Sequence, residues 1–125
     1  MTGASGGIGS EIKSILLEND IEVIELTSKE YDLSSDVMLP EISCDGFIHC
    51  AGINILNKAM EMEDETFLRV FKINTLSFLN ICKQLKFNKN SNIVAIGSLY
   101  SFLIKPERLN YSISKHALLA AVKTM

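Results

Sequence analysis

The sequence predicts an α/β fold whose parallel strands are covered by helices on both faces, a doubly wound sheet. Two observations carry that expectation. Short continuous apolar runs alternate with segments whose apolar residues recur at helical spacing. The chain also opens on a glycine cluster, Gly3-Ala4-Ser5-Gly6-Gly7-Ile8-Gly9, directly ahead of a helical pattern. In α/β proteins such a cluster joins a strand to a helix.

Each element has its own signal. Ile8, Ile12, Ile15 and Leu16 lie at helical spacing, so a helix is expected over 8–19, closed by Asn19-Asp20. Ile21, Val23, Ile24 and Leu26 form a short β-branched run that reads as a buried strand. Residues 29–40 are polar and irregular, with Tyr31-Asp32-Leu33 as a short extended piece. Residues 46–52 are a second apolar strand ending in glycine. Over 64–85, Phe67, Val70, Phe71, Asn74, Phe78, Ile81 and Leu85 fall on or near one face, while Glu63, Glu65, Arg69 and Lys72 face elsewhere, as in an amphipathic helix. Residues 92–98 read as a third strand. A loop through Pro106 leads to a last helix from about Asn110. No repeat, low-complexity tract or linker interrupts the pattern, so 1–125 is expected to be a single domain.

Composition narrows the function classes. The chain has 125 residues, 47% hydrophobic and 22% charged, enough for a buried core. A net charge of −3 argues against nucleic-acid partners, which call for a clustered basic excess. No apolar run reaches bilayer length and no secretory pattern is present, so no membrane partner is expected. Cys44, Cys50 and Cys82 are odd in number and lack C-x-x-C spacing. They read as small core residues of a reducing, cytoplasmic compartment rather than as disulfides or zinc ligands. His49 and His116 have no companion ligands at suitable spacing, so no metal is expected and both read as structural.

Three motifs carry chemistry. Gly3-x-x-x-Gly7-x-Gly9 lets the backbone turn sharply and approach a pyrophosphate, with the following helix pointing N–H groups and its positive dipole end at the charge. A flexible glycine-rich tail is the plain alternative. Tyr111 and Lys115 stand four apart and share a helix face. A phenol ionises near pH 10 and works as an acid or base nearer neutrality when an ammonium lies close. Ser98, thirteen residues before Tyr111, suits hydrogen bonding to a reacting oxygen. A helix start with a surface lysine is the plain alternative. Asn74, mid-helix among apolar residues, either holds a water that links Lys115 to solvent or bonds a nearby carbonyl.

Taken together these residues resemble the short-chain dehydrogenase/reductase family over almost the whole chain. Thr2-Gly3-x-x-x-Gly7-Ile8-Gly9 is similar to its cofactor loop. Cys50-Ala51-Gly52 resembles its Asn-Ala-Gly element, with cysteine in place of asparagine. Asp32-Leu33 resembles its adenine-contacting pair, Asn74 its helix asparagine, and Ser98, Tyr111 and Lys115 its catalytic set. The resemblance implies a Rossmann-type sheet that binds NAD or NADP and interconverts a small-molecule carbonyl and alcohol by hydride transfer. Tyr111 would pass the proton, Lys115 would assist it and hold the nicotinamide ribose, Ser98 would orient the carbonyl, and Asn74 would keep a relay water. Gly3, Ser5, Gly7, Ile8, Gly9, Asp32, Leu33, Ala51, Gly52, Tyr111 and Lys115 would bind the cofactor. Thr27-Ser28-Lys29, where an acidic residue would select NAD, tilts the expectation towards NADP, with Lys29 as a cofactor contact. The cysteine at position 50 is expected to loosen its loop. The family's first strand and C-terminal part lie outside the sequence, so the fold is expected as a truncated version, with homo-oligomers formed through the helices of Asn74 and Tyr111. The rival reading is a non-catalytic or regulatory protein that at most binds a dinucleotide.

Overall fold

The structure, a computed structural model, describes residues 1–125. In chain order it contains α1 (Gly7–Glu18), β1 (Ser43–His49), α2 (Asp64–Phe71), α3 (Ser77–Gln84), β2 (Lys86–Ala95) and α4 (Leu109–Thr124). Short 3-10 turns lie at Ala59–Glu61 and Leu99–Ser101. No helix is long and apolar enough to cross a membrane.

Local chemistry sets the boundaries. The N–H groups of Asp20 and Ile21 return to the carbonyls of Leu17 and Leu16, ending α1 with Asp20 at φ 58°. That left-handed cap satisfies carbonyls the helix leaves free. Asp64 and Glu65 occupy the first turn of α2, where carboxylates suit the positive end of the dipole. The expected helix over 64–85 is real but interrupted. A π-helical turn at Lys72–Leu76 joins α2 to α3, and Ser77 donates its hydroxyl to the Ile73 carbonyl at 2.7 Å. Such wide turns concentrate at functional positions.

The sheet is parallel, with Phe47 opposite Ile93, Ile48 opposite Val94 and His49 opposite Ala95. The register slips between Cys44 and Gly46, where residues 88–91 of β2 swing out around Asn90 at φ 66°. β2 therefore starts before the expected strand at 92, and ends at Ala95 rather than Ser98. β1 likewise spans Ser43–His49 rather than 46–52.

The expected strand over 21–26 forms one bridge and no ladder. Thr2 pairs in parallel with Leu26 on one side and with His49 on the other. Only Met1 and Thr2 thus lie between the 21–26 segment and β1. A β-branched run becomes a regular strand through a hydrogen-bonded neighbour, and here that neighbour reaches only its last residues. Tyr31-Asp32-Leu33 is likewise no strand; it leads into a turn over 33–35.

The core holds Leu26, Leu33, Phe47, Phe78, Ile81 and Leu118. Phe47 of β1 stacks on Phe78 of α3 at 6.1 Å, so α3 and α4 cover this face of the sheet. Val70, Asn74, Phe78 and Ile81 share the buried side of the 64–84 helix. The other sheet face carries Val94, which is exposed, and α1 contributes only Gly9 to the buried set while Ile8 and Ile15 stay in solvent. The arrangement is α/β with a parallel sheet, as a truncated Rossmann-type fold requires.

Candidate active site

The site begins at the glycine loop. Gly3 has φ +67°, and a Cβ there would meet the Ala51 nitrogen at 2.6 Å and the Cys50 carbonyl carbon at 2.7 Å. A Cβ on Gly9 would land on the Gly3 carbonyl oxygen. Both glycines are therefore required by close backbone packing. Gly7 faces open space, and Gly6 caps α1 without any side-chain bond. The first-turn N–H groups of α1 are thus left for an anion to approach, beside exposed Ser5 and Ile8. This cradle of missing side chains fits a pyrophosphate.

Thr2 ties the loop to β1. Its N–H donates to the Ile48 carbonyl at 3.0 Å, its carbonyl accepts from Cys50 N–H, and its hydroxyl pairs with His49 Nδ1 at 2.9 Å. Ala51 N–H donates to the same hydroxyl at 3.3 Å. Backbone bonds hold the strand end where Cys50 was expected to loosen it.

A cleft of about 100 Å³ adjoins the loop, walled by Gly3 to Ser5, Glu25 to Ser28, Tyr31, Leu33 and Ala51. Leu33 lines this cleft. Lys29 and Asp32 stand outside the cleft wall. The Asp32 carboxylate accepts from Ser34 N–H at 2.9 Å and from its hydroxyl at 2.7 Å, and these bonds hold it below the usual carboxylate range. Both bonds fall on the same carboxylate oxygen, so the aspartate closes its own turn.

Across Ala51-Gly52 lies the second cluster. A Cβ on Gly52 would stand 3.4 Å from Asn74 Oδ1 and 3.6 Å from Lys115 Nζ. Asn74 is fully buried. Its Oδ1 accepts from Ile53 N–H at 2.8 Å, and its Nδ2 donates to the Ile53 carbonyl and to Ser114 Oγ, each at 2.9 Å. Both amide protons are committed to protein atoms. This favours the carbonyl-bonding alternative for the side chain over a water held by it.

Lys115 is 4% exposed and donates to the Ile96 carbonyl at 2.7 Å, which joins α4 to the end of β2. Burial lowers its pKa, and Cys50 opposes this in part. Its Nζ lies 5.8 Å from the centroid of the Tyr111 ring. Tyr111 is half-buried and meets Tyr100 edge-on at 6.0 Å, and Arg108 covers Tyr100 at 5.2 Å. Ser98 Oγ accepts from Tyr100 N–H at 3.2 Å and opens the 3-10 turn.

A run of close approaches thus leads from Gly3 and Gly9 through Ala51 and Gly52 to Asn74 and Lys115, with Tyr111 beside the Lys115 amine and Ser98 two residues past the carbonyl that anchors it. All of it sits at the carboxyl ends of the strands, where open α/β sheets bind ligands. His116 stays outside this run, its Nδ1 against the Ser112 carbonyl of its own helix. The three cysteines are free and half-buried, and Cys82 packs against the core. Burial pushes the thiols of Cys50 and Cys82 up, the latter to about 11.

Several contributors carry no sequence motif. Ile53 and Ser114 position the cluster through hydrogen bonds, and Tyr31 and Glu25 wall the cleft. Ser114 lies inside Tyr-x-x-x-Lys, which is the available hint.

The comparisons with known proteins agree with this geometry. A family model described as Enoyl-(Acyl carrier protein) reductase matches residues 41–125. None of the curated proteins matches the sequence. Among solved structures, 4-hydroxyisoleucine dehydrogenase complexed with NADH and succinate is 26% identical with a TM-score of 0.86, over 100% of this chain and 69% of its own. A short chain dehydrogenase family protein from Francisella tularensis is 24% identical, TM-score 0.83, over 98% of this chain and 60% of its own. A short-chain dehydrogenase/reductase from Brucella melitensis is 19% identical, TM-score 0.89, over 99% of this chain and 66% of its own. The last two establish likeness of fold alone. The chain spans 60 to 69% of the length of these three structures. With the family model covering most of its length, the chain belongs to the short-chain dehydrogenase/reductase family.

Proposed function

We propose that this chain carries the cofactor and proton-transfer site of an NAD(P)-dependent oxidoreductase that interconverts a carbonyl and an alcohol. The observation that carries the reading is the Gly52 junction. Asn74 Oδ1 and Lys115 Nζ both come within 3.6 Å of the point where a Cβ on that glycine would stand, and Gly3 packs on the adjoining Ala51. The glycine loop and the first turn of α1, with Ser5 and Ile8, hold the pyrophosphate. Leu33, Ala51 and Gly52 border the dinucleotide, and Lys115 and Tyr111 face its nicotinamide half. When bound, the dinucleotide supplies or accepts the hydride.

The side chains handle the proton. Tyr111 donates its phenolic proton to the carbonyl oxygen during reduction and takes it back during oxidation. The buried Lys115 ammonium favours negative charge on that phenol oxygen, since a desolvated charge interacts more strongly than one in water. Ser98 donates a hydrogen bond to the substrate oxygen. Asn74 ties Ile53 to Ser114 of α4, the helix that carries Tyr111 and Lys115. The single-domain organisation of 1–125 and homo-oligomers through α2, α3 and α4 complete the proposal.

For the cofactor we favour NADP. Thr27 and Ser28 line the cleft, exposed Lys29 stands one residue beyond, and Lys13 pairs with Glu25, so the carboxylate in the cleft wall is neutralised and opposes a 2′-phosphate less. Binding titrations with NADPH and NADH should give the tighter constant for NADPH; tighter NADH binding sinks this preference. The rival reading is a protein that at most binds a dinucleotide. Tyr111→Phe separates the two. Turnover of a ketone panel should fall at least about 100-fold with dinucleotide binding unchanged, whereas equal turnover by both proteins removes Tyr111 from the chemistry.

A further inference from the structure

We infer, given the proposed role of Tyr111 in proton transfer, that Arg108 holds a carboxylate of the substrate and that the site takes small keto acids to hydroxy acids. Four side chains meet in series. Lys115 Nζ lies 5.8 Å from the centre of the Tyr111 ring, Tyr100 meets that ring edge-on at 6.0 Å, and Arg108 Cζ lies 5.2 Å from the centre of the Tyr100 ring. The phenol thus has one cation on its own ring and another on the ring beside it.

Backbone bonds fix where the guanidinium stands. Arg108 is half-buried at the entry to α4, three residues before Tyr111. Its carbonyl accepts from Ser112 N–H at 2.8 Å in the first turn of the helix. It pairs in parallel with Asn57, whose N–H donates to the Glu107 carbonyl at 3.1 Å. The main chain therefore does the structural work at position 108, while the side chain reaches Tyr100. Tyr100 is held as firmly: its N–H donates to Ser98 Oγ at 3.2 Å within the Leu99–Ser101 turn. One turn and one helix start thereby carry the hydroxyl, both rings and the cation.

Chemistry selects the ligand. Attraction to an aromatic ring occupies none of the guanidinium's hydrogen-bond donors, and its planar fork matches a carboxylate two bonds at a time. The chain as a whole carries a net charge of −3, so the positive field is local to this site. A cleft of one sign draws ligands of the other. A carboxylate clamped on Arg108 also holds the rest of a small molecule against Tyr111, which lowers the cost of orienting it for reaction. With one ring between phenol and guanidinium, the keto group and the carboxylate stand a few bonds apart. Tyr111 gives its proton to the keto oxygen while the carbonyl carbon takes the hydride of the reduced dinucleotide. A hydroxy acid and the oxidised dinucleotide result, and the carboxylate is unchanged.

The probes are the three linear oxopentanoates, with the keto group at successive carbons from the carboxylate, and their methyl esters. Arg69 and Arg108 are the chain's two arginines, so the Nε–H resonance of Arg108 is the one that survives in Arg69→Lys, a change at an exposed position of α2. At least one acid, added with the oxidised dinucleotide, should shift that resonance saturably, and its ester should not. In oxidation of NADPH or NADH, the same acid should exceed its ester in kcat/KM by at least about tenfold, mostly through KM. Arg108→Met should erase that preference, Tyr100→Phe should keep it, and added salt should reduce it. Acids and esters reduced alike overturn the proposal and leave the oxidoreductase reading standing. Acid binding at Arg108 with no probe turned over does the reverse. A resonance unmoved by every acid also overturns the proposal, as it would if a carboxylate of the protein itself held the guanidinium. That measurement needs no change at position 108, so it decides even where Arg108→Met fails to fold.

Discussion

Acidification should unfold this protein through His49, and the size of the effect can be worked out. His49 is completely buried in β1, its Nδ1 bonded to the Thr2 hydroxyl and its Nε2 without a hydrogen-bond partner, beside the stacked rings of Phe47 and Phe78. Desolvation is the main reason its pKa falls from 6.5 to about 4. The Lys115 cation lowers it further, and the carbonyls of Asn74 and Ile73 pull weakly the other way. The folded protein therefore refuses a proton that the unfolded chain accepts. Stability is full above pH 6.5, declines as the pH falls through the window from 6.5 to about 4, and levels below it. A separation of about 2.5 units corresponds to roughly 3.4 kcal/mol in the limit, and about 2.6 kcal/mol of it should be gone by pH 4.5. That is a large share of the stability of a small domain. Urea unfolding of the parent and of His49→Gln between pH 8 and 4.5 measures it. The parent should lose about 2.6 kcal/mol more than the variant. Parallel stability curves for the two would refute a buried neutral imidazole.

Two further substitutions test the site. Gly9→Ala places a methyl on the Gly3 carbonyl, which should cost about 1–3 kcal/mol of stability and weaken dinucleotide binding, read by urea midpoint and by titration; a neutral result would mean the loop does not pack as described. Asn74→Ala leaves the Ile53 N–H and carbonyl and the Ser114 hydroxyl without their partner, and should lower stability by at least about 1–3 kcal/mol, visible as a lower denaturation midpoint; an unchanged midpoint would show that water replaces the amide freely.

Short-range patterns made most of the site legible. Gly3, Gly7 and Gly9 announce a loop because few other residues permit one, and a spacing of four on a helix brings Tyr111 and Lys115 to one side without further information. The long helix, its buried face and the parallel strands all follow from apolar period, because burial on one side or both leaves its mark on composition. What a period cannot carry is where a backbone goes when its partner is short or its neighbours compete. Residues 21–26 have a strand's composition, yet the ladder depends on what lies beside them, and only Met1 and Thr2 do. Lys29 and Asp32 are in the expected stretch, yet Asp32 folds onto Ser34 because a local hydrogen bond was available. The π turn that brings Asn74 to Ile53 and Ser114 depends on contacts between residues far apart in the chain, as do the burial of His49 and the anchoring of Lys115 on Ile96. Residue type and spacing set which groups share a side of an element; hydrogen bonds and burial contributed by distant segments set which of those groups meet.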